Sequence, residues 1–480
     1  MKKLKFRVQL VAEEDDAVTG EEVVELAVLE KDCERLEHLG LTLAESKEIL
    51  GVLQQHVLER QAATFLDDRR CCPGCGRWLG LKGHHAITFR TLFGDIALIS
   101  PRLRSCRCGG QSSTFSPLCE LLTEHTAPEL LYLQTKWSSL ISYAMTAKML
   151  KDVLPIDEKL SAATVRNHAL SIARRSEEAL GEERFSFIDS CPRDWRELPR
   201  PDGPMTVGID GGYVRDWKNK KSSFEVIVGR SATWEGEAKR FGFVHGHDGK
   251  PKRRLFDLLC SQGMQMNQQV TFVSDGADNV RDLQFYLNPH AEHVLDWFHL
   301  TMRVTVLDQY AKGVVRLNEK LGEEIREDLQ RVKWYCWHGN VYEALRHIRF
   351  IEMDAETLLY ELEESHPAED HRKPKKLLKA IGEFRSYYIE NNAAMIPNYG
   401  ERRRYGEAIS TATVESTVNS VLNKRFCKKQ QMQWSKEGAH LLLQNRTRTL
   451  NRELARTFRN WYPEFICADG EKEDGLARAA

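Results

Sequence analysis

The amino-acid sequence predicts a multidomain α+β protein organised around one mixed sheet with helices packed on it. Three observations lead to this fold class. Two close cysteine pairs flank an apparent β-hairpin, strand-like segments follow a proline-rich stretch, and long helical segments occupy the last third of the chain. A chain of 480 residues is long enough for two or three domains that each bury a core.

Composition excludes several classes of protein. The chain has 69 basic and 70 acidic residues, which argues against a uniformly basic nucleic-acid coat and against an acidic tail protein. No apolar run approaches the roughly 18 residues of a membrane span. The basic start is followed by acidic residues where a signal peptide needs an apolar core. We therefore expect a cytoplasmic protein with no membrane partner, whose 12 cysteines are not held in disulfides.

Residues 1–69 are predicted to form an acidic, helical N-terminal region. Apolar residues recur in groups between Val23 and Leu58, and residues 1–70 contain 16 acidic against 10 basic side chains. A segment of that charge faces protein or solvent rather than phosphate. A helical packing layer is the favoured interpretation, and a role in dimerisation is the alternative.

A zinc ribbon is predicted over residues 70–120. Strand-like segments at 87–93 and 96–99, joined by Gly94-Asp95, lie between a Cys-x-x-Cys pair and a tighter Cys-x-Cys pair. Two knuckles that supply two thiolates each suit a tetrahedral Zn²⁺ ion, and four protein ligands leave no open position, so its role is structural. A redox Cys-x-x-Cys pair would not need the second pair. The expected ligands are Cys72, Cys75, Cys106 and Cys108.

Residues 121–190 are predicted to form three helices of a DNA-binding region. A polar turn at 152–157 separates two of them, and the last helix begins near Ser161. This arrangement is typical of a helix-turn-helix DNA reader, although an ordinary helical hairpin explains it equally well. The side chains available to phosphates or base edges are Ser161, Thr164, Arg166, Asn167 and His168.

A proline-rich linker is predicted at 191–204, and an α/β core follows it. Three strand-like segments come first, and two helix-like segments then alternate with two further strands. This order is that of an RNase H-like fold, a mixed sheet with flanking helices. The strands are expected at 205–210, 224–229, 240–245, 269–275 and 293–296, and the helices at 255–260 and 280–287.

Two aspartates are expected at strand ends in this core. Asp210 and Asp275 each follow an apolar strand and each precede a glycine. The carboxyl ends of strands are where α/β sheets place their chemistry, and glycines let a metal and a phosphate approach the backbone. A lone aspartate in a turn is usually only a turn former, but two such units in the expected order indicate a site.

A third carboxylate is expected from a helix, because Mg²⁺ takes oxygen ligands from few protein carboxylates and the substrate phosphate. Glu415 is the best candidate, since it lies at the margin of an apolar helical face. Taken alone, it would be interpreted as a solvated helix acid. The apolar face consists of Val414, Val418, Val421 and Leu422.

Long blocks of the sequence share their pattern with a known enzyme family. These blocks are Thr206–Arg215, Phe224–Gly229, Val273–Asp278, Leu295–His299, Ser410–Leu443 and the cysteine hairpin with Phe93–Asp95, Pro101-Arg102 and Cys106–Cys108. They resemble the ISKra-type insertion-sequence transposases over about residues 70 to 460. The resemblance implies a DDE transposase whose RNase H-like core is interrupted by a helical insertion.

The resemblance also implies the roles of particular residues. Asp210, Asp275 and Glu415 would be the catalytic, metal-binding triad, holding two Mg²⁺ ions for which Mn²⁺ substitutes. Asp296 and His299 would lie beside the triad, behind its ligands or against DNA. Tyr335–Gly339 would correspond to a Cys/His motif of related groups, with Cys336 and His338 one residue closer together than in that motif.

Domain boundaries follow from these assignments. The core would comprise residues 205–300 and 401–462, with the helical insertion at 301–400 and a tail at 463–480. Residues 401–460 contain 13 basic against 5 acidic side chains, a patch suited to DNA phosphates. An aromatic ring there would stack on frayed bases. The DNA-binding residues expected in this segment are Lys424, Arg425, Lys428, Lys429 and Trp434.

The implied partner is double-stranded DNA, both the terminal inverted repeats of the element and its target, in a bacterial-type cell. A homodimer or higher oligomer is expected, because two DNA ends must be brought together. Two other classes remain open: an RNase H-like nuclease without strand transfer, and a DNA-binding regulator derived from a transposase. Terminal inverted repeats flanking the reading frame would favour the transposase.

Overall fold

The structure is a computed structural model of mixed α/β architecture, whose contacts divide the chain into two compact units. One unit comprises Met1–Ala173 with Arg452–Ala480, and the other comprises Arg174–Asn451. None of the helices that the structure describes is long and apolar enough to cross a membrane. The described residues are 3–12, 22–32, 35–106, 108, 113–219, 221–277, 281, 283–284, 286–365, 371–427 and 434–466.

The N-terminal region begins with two antiparallel strands, β1 (Lys3–Ala12) and β2 (Glu22–Asp32). The prediction that residues 1–69 are helical is therefore wrong for their first half. Apolar side chains there recur at every second position, as at Val24, Leu26 and Val28, which is the period of a strand and not of a helix. The second half is confirmed as helical.

Helix α1 (Leu43–Asp68) begins at a reciprocal capping box. The N–H of Glu45 donates to the Thr42 hydroxyl, and the N–H of Thr42 donates to the Glu45 carboxylate at 2.8 Å. A short 3₁₀ turn, Leu36–His38, precedes this helix.

The predicted hairpin is confirmed, with longer strands. β3 (Leu81–Thr91) pairs antiparallel with β4 (Gly94–Arg104), which also pairs with the short β5 (Thr114–Phe115). The turn lies at residues 92–93 and not at Gly94-Asp95. The buried residues that this sheet shares with α1 and the next helix are Ala62, Ile87, Ile96, Leu98 and Leu118.

Helices follow the hairpin, and the three predicted within 121–190 are confirmed. The run expected as one helix from Trp137 to Leu150 is broken at Ser142, whose hydroxyl accepts the N–H of Met145 and so begins a new helix. The helices of this stretch are α2 (Pro117–Leu121), α3 (Pro128–Leu140), α4 (Tyr143–Val153), α5 (Ala162–Ala179) and α6 (Pro192–Glu197). The last of these lies within the predicted linker, and the division between the units falls earlier, in α5.

A five-stranded mixed sheet forms the second unit, with strands ordered β10-β9-β6-β7-β8. The first three strands along the chain are antiparallel neighbours, and the last two add to the other side of β6 as parallel strands. The predicted helix at 280–287 includes positions outside the described residues. The elements are β6 (Met205–Arg215), β7 (Ser223–Ala232), β8 (Ala238–Val244), α7 (Pro251–Cys260), β9 (Val270–Ser274) and β10 (Ala291–Leu295).

The predicted helical character of 301–400 and 401–462 is confirmed. Two of the segments are π-helical, Phe384–Glu390 and Asn419–Cys427, and one is a 3₁₀ turn, Ala393–Met395. The helices are α8 (Trp297–Val315), α9 (Glu319–Trp337), α10 (Val341–Ser365), α11 (Arg372–Glu383), α12 (Tyr399–Arg404), α13 (Ala412–Val418), α14 (Lys436–Leu450) and α15 (Leu454–Trp461). The last helix belongs to the first unit, where Phe458 packs edge-to-face on Tyr132.

Candidate metal-binding active site

The register of two parallel strands aligns the two aspartates. The last pair between β6 and β9 joins Gly208 to Val273. Asp210 comes two residues later on β6, and Asp275 comes two residues after Val273, directly beyond the end of β9. The two are close enough for Asp275 to raise the pKa of Asp210. Adjacent strands are about 4.8 Å apart, and residues at one level of a parallel pair share a face of the sheet. The structure therefore brings these two carboxylates together.

Asp210 lies inside its strand rather than at the end of it. The prediction of a strand end is wrong here, because β6 continues to Arg215 in antiparallel pairing with β7, where Asp210 is level with Val228. Only the parallel partner ends, since β9 stops at Ser274. Asp210 therefore lies beyond the end of the shorter strand β9 while it is still inside β6.

The pKa of Asp210 depends on the burial of its carboxylate and on the charged and polar groups around it. Burial raises its pKa, and the nearby carboxylates of Asp275 and Asp296 raise it further. The N–H of Gly211, 2.7 Å from Oδ1, and the imidazole of His299 act in the opposite direction. Carboxylates that disfavour each other's charge in this way are relieved by a bound cation.

Helix α13 and the π-helical turn after it cover the face of β6 that carries Asp210. A Cβ atom added to Gly208 would lie 2.2 Å from Val414 Cγ2, and one added to Gly212 would lie 2.3 Å from Leu422 Cδ2. Because residues 208, 210 and 212 share a face, Asp210 lies between two glycines whose missing side chains admit these apolar residues. The predicted apolar face of this segment is confirmed as buried.

Glu415 directly follows Val414 on this covering helix and is exposed. The packing brings its helix onto the strand of Asp210, but it does not close the three carboxylates into one tight group. Among the described residues, the sets of three or more potential ligands that all lie within 4.8 Å of one another are two other clusters. The structure thus unites Asp210 with Asp275 and carries Glu415 on the helix packed over Asp210's strand.

Asp296 connects the end of β10 to the start of the helix that bears Glu415. Its side chain is fully buried. One oxygen accepts the N–H of Phe298 at 2.7 Å, and the other accepts both the N–H, at 3.1 Å, and the hydroxyl of Thr411. Thr411 immediately precedes α13. Asp296 therefore holds the covering helix in place while it caps α8.

His299 lies on the first turn of α8, close to the same carboxylate. Its Nδ1 atom is 3.5 Å from Asp296 Oδ2, and its side chain is 29% exposed. The interaction of His299 with Asp210 opposes the rise in the pKa of that carboxylate. Asp296 and His299 are thus both found beside Asp210.

A second supporting pair behind the site was not predicted. Ser274 Oγ lies 2.7 Å from His293 Nε2 and accepts the N–H of Gly276, so it orders the turn that carries Asp275. Burial lowers the pKa of His293 to about 4, which keeps the ring neutral. The available signal was a serine at the end of one buried strand and a histidine two residues before the end of the next strand, where it is level with Phe272.

Cys336 and His338 do not meet at a common ligand. Cys336 is fully buried in the helical core, and burial raises the pKa of its thiol to about 12. His338 is exposed at the end of α9. Cys336 therefore packs as a small apolar residue, and the implied correspondence to a Cys/His motif does not bring the two side chains to one site.

The basic segment near the C-terminus is only partly as predicted. Lys424 is exposed, but Arg425 is fully buried, with its guanidinium 5.2 Å from the ring centre of Trp434. Trp434 is itself 4% exposed and packs on Phe426. The predicted DNA contacts of Arg425 and Trp434 are therefore wrong, because both side chains are used in packing. The remaining two predicted contacts, Lys428 and Lys429, lie outside the described residues.

Two of the predicted DNA-contacting residues are exposed on α5, the predicted recognition helix. Arg166 and Asn167 point to solvent on α5. His168 does not, because its Nδ1 atom lies 2.7 Å from the Gln134 side chain. The Ser161 hydroxyl accepts the N–H of Thr164 at the start of the helix, so these two residues are occupied in capping.

The four cysteines of the ribbon converge. Cys72 Sγ is 3.5 Å from Cys108 Sγ, Cys75 Sγ is 3.4 Å from Cys106 Sγ, and all four sulfurs lie within 4.8 Å of one another. Bonds of about 2.3 Å from a tetrahedral Zn²⁺ ion require sulfurs about 3.8 Å apart. Gly76 adopts φ +71° in the first knuckle. This donor set fits a tetrahedral metal ion.

A second cluster of potential ligands was not predicted. Glu177, Asp248 and His440 come together in the second unit, but Arg254 lies among them. Its guanidinium is 2.6 Å from Glu177 and 2.9 Å from Asp248, and its side chain is 7% exposed. Although burial raises the pKa of Glu177, hydrogen bonds from His440 and Arg254 hold it below its usual range. The arginine supplies the positive charge, so this cluster is a buried ion-pair network.

No family model matches the chain, and comparison with curated proteins gives no match either.

Proposed function

We propose that the protein is a DNA transposase of the DDE type, which cleaves the ends of a mobile element and joins them to target DNA. The observation that carries this proposal is that Asp275, just beyond the end of β9, lies close enough to Asp210 on β6 to raise its pKa, while the helix of Glu415 packs over the strand of Asp210. Carboxylates on a sheet edge and a covering helix are the ligands that phosphoryl transfer with divalent cations requires.

The sheet supports an RNase H-like core. Its first strand, β6, is central. On one side lie β7 and β8, joined by antiparallel pairing, and on the other lie β9 and β10, joined by parallel pairing. This is the mixed sheet that the strand order in the sequence predicts for that fold. The catalytic residues would then lie on the central strand, after its parallel neighbour, and on a helix that packs on the central strand and its antiparallel neighbour.

The carboxylates fit Mg²⁺, because they are hard oxygen donors and because neighbouring carboxylates raise the pKa of Asp210. Asp210 and Asp275 would hold the ions, and Glu415 would complete the set from its helix. When bound, two such ions activate a water or a DNA 3′-hydroxyl and stabilise the leaving oxygen. Asp296 would orient Glu415 through Thr411, and His299 would stand beside Asp210.

Exposed basic and polar residues would bind the DNA. Arg166 and Asn167 on α5 and Lys424 after Glu415 are accessible to phosphates or base edges. The four-cysteine cluster would hold a structural Zn²⁺ ion that joins the two ends of the ribbon. Removal of that ion by a chelator would lower the thermal stability of the ribbon and leave the carboxylate site intact.

The direct test incubates purified full-length protein with a duplex that carries the element end and with Mg²⁺, and measures nicked and joined products. Asp210→Asn, Asp275→Asn and Glu415→Gln are each expected to abolish both products while leaving binding of the duplex near the wild-type level. Glu356→Gln removes an exposed acid from another helix of the same unit and serves as the matched control. Wild-type levels of joining by Glu415→Gln would exclude this residue from the triad.

The same assay separates the proposal from a nuclease without strand transfer. Such an enzyme would need the same carboxylates, so the three variants would lose cleavage in both cases. Joined products from the wild-type protein favour the transposase, and cleavage without joining favours the nuclease. Binding of the duplex with neither product would point to a regulator.

A further inference from the structure

We propose that the hairpin between β6 and β7 is a DNA-contacting surface that stacks an unpaired base on Trp217 and holds the adjoining phosphates with lysines. The hairpin tip is defined here as residues 213–223, of which Lys220 lies outside the described residues. The inference rests on the proposed function only in taking DNA as the substrate.

The hairpin tip is the direct continuation of the strand that carries Asp210. β6 runs five residues beyond Asp210 to Arg215, and β7 begins at Ser223. At about 3.3 Å per residue, the strand end lies roughly 17 Å from the carboxylate. One strand of DNA advances about 3.4 Å per nucleotide along the duplex axis. DNA whose phosphate lies at Asp210 would therefore reach the hairpin tip about five nucleotides away.

The side chains of the hairpin tip match a nucleic-acid strand. The rings of Tyr213 and Trp217 are 67% and 49% exposed. Aromatic rings and basic side chains in alternation stack bases and neutralise phosphates without regard to sequence. In the sequence, the tip carries four basic residues against one acidic residue. The basic residues described as exposed are Arg215, Lys218 and Lys221.

The backbone of the hairpin tip is held in place before any ligand arrives. The N–H of Trp217 donates to the carbonyl of Trp434 at 3.0 Å, and Asp216 forms a bridge with the same residue. The N–H of Asp216 donates to Ser222, and the N–H of Lys218 donates to the Asp216 carboxylate. Because the loop is already ordered, binding costs less conformational entropy.

Trp434 therefore has a structural role and not the DNA-contacting role that the sequence predicts. Its ring is buried against Phe426 and Arg425, and its carbonyl fixes the position of Trp217. The buried tryptophan anchors the loop, and the exposed tryptophan is the ring available for stacking.

Single exposed aromatic residues are common on protein surfaces, and the same sheet offers one for comparison. Trp234 is 66% exposed in the turn between β7 and β8, at the opposite end of the sheet. Its neighbours Glu235 and Glu237 are acidic, so a phosphate strand is repelled there. Charge complementarity thus distinguishes the hairpin tip from an incidental exposed ring.

The test measures the binding of fluorescently labelled oligo(dT) and of a labelled mixed-sequence duplex to full-length protein by anisotropy. We expect Trp217→Ala to weaken oligo(dT) binding about tenfold, the loss typical of one stacked base. Trp217→Phe, which keeps a stacking ring, should bind within about threefold of wild type. The paired change Lys218→Ala with Lys221→Ala should reduce the salt dependence of binding.

Trp234→Ala is the matched control and should bind like the wild-type protein, with thermal melting confirming that each variant is folded. Equal binding by Trp217→Ala and Trp234→Ala would overturn the inference, as would failure of the wild-type protein to bind oligo(dT). The readout does not depend on catalysis, so an active Asp210→Asn variant would reject the proposed function and leave this inference standing.

Discussion

Two carboxylate clusters in the same unit use the same residue types in opposite ways. Glu177 and Asp248 surround the guanidinium of Arg254, which hydrogen-bonds to both. Asp210 instead has the carboxylates of Asp275 and Asp296 as neighbours, and burial and these carboxylates raise its pKa. The first cluster has its positive charge built in, whereas the second is suited to receive one from a metal ion. Acidic residues in proximity therefore indicate a metal site only where the chain does not already supply the cation.

The largest effect that tests this comparison is the removal of the built-in cation. Arg254→Met removes the guanidinium that both carboxylates bind, and we expect it to lower the free energy of unfolding by about 3–5 kcal/mol. Urea denaturation followed by circular dichroism measures this loss. Lys312→Met breaks an exposed ion pair with Asp308 and should cost less than about 0.5 kcal/mol. Equal costs for the two variants would contradict the buried network.

Magnesium should stabilise the protein through the other cluster. At a concentration about 100 times its dissociation constant, Mg²⁺ is expected to raise the free energy of unfolding by roughly 2.7 kcal/mol. Asp210→Asn should lose this gain because a ligand is removed, and Glu177→Gln should keep it. Denaturation curves with and without Mg²⁺ measure the difference. If the Mg²⁺-dependent gain in stability survives in Asp210→Asn and disappears in Glu177→Gln, the metal site is not at the Asp210 cluster.

The histidine behind Asp275 should make stability depend on pH at a higher pH than the lowered pKa of Glu177 in the arginine-centred cluster does. The pKa of His293 falls to about 4 in the folded chain, below the roughly 6.5 of an unfolded histidine. Below pH 6.5 the unfolded state therefore takes up the proton first, and stability falls as the pH is lowered. Between pH 6.5 and 5 the loss should be about 2 kcal/mol.

Unfolding measured across this range in the wild type, in His293→Gln and in His338→Gln checks the assignment. The buried substitution should remove this part of the slope, and the exposed one should retain it. An unchanged slope in His293→Gln would assign the pH dependence to other groups.

The smallest effect concerns the link between Asp296 and the helix of Glu415. Thr411→Val removes a hydroxyl that donates to a buried carboxylate, at a cost of about 1–2 kcal/mol in the free energy of unfolding. The same change should raise the Mg²⁺ concentration needed for half-maximal DNA cleavage, because Glu415 is positioned less well. Thr411→Ser keeps the hydroxyl and should restore the wild-type midpoint. If the Mg²⁺ concentration for half-maximal cleavage does not change in Thr411→Val, Thr411 has only a structural role.

The core of the candidate site was predictable because its signals are local. Each aspartate follows a run of apolar residues, and Val414, Val418 and Leu422 recur at helical spacing, so the buried face of the strand and of the helix can each be predicted. The prediction of helices at the N-terminus is wrong although the alternation of Val24, Leu26 and Val28 is equally local, because it rests on the recurrence of apolar groups and not on their period of two. The cysteine pairs also predicted their own convergence, since a hairpin returns the chain to its starting point.

The arginine-centred network had no such signal. Glu177, Arg254 and His440 are far apart in the sequence, and no spacing rule connects them. The same limit explains the incorrect assignments of Arg425 and Trp434, which are a typical DNA-binding pair by composition. Whether a polar or aromatic side chain faces solvent depends on what packs above it, and that is a property of distant elements.

The sequence by itself determined the element types, the donor atoms and the paired cysteines, because these depend on neighbours within a few residues. The alignment of Asp210 with Asp275 came from the structure, because the register that joins Gly208 to Val273 is a property of the paired strands. Only the tertiary structure decided which charges are neutralised within the protein and which remain for a ligand. The physical reason is that burial and ion pairing are set by side chains from separate elements, which meet only when the sheet and its helices pack together.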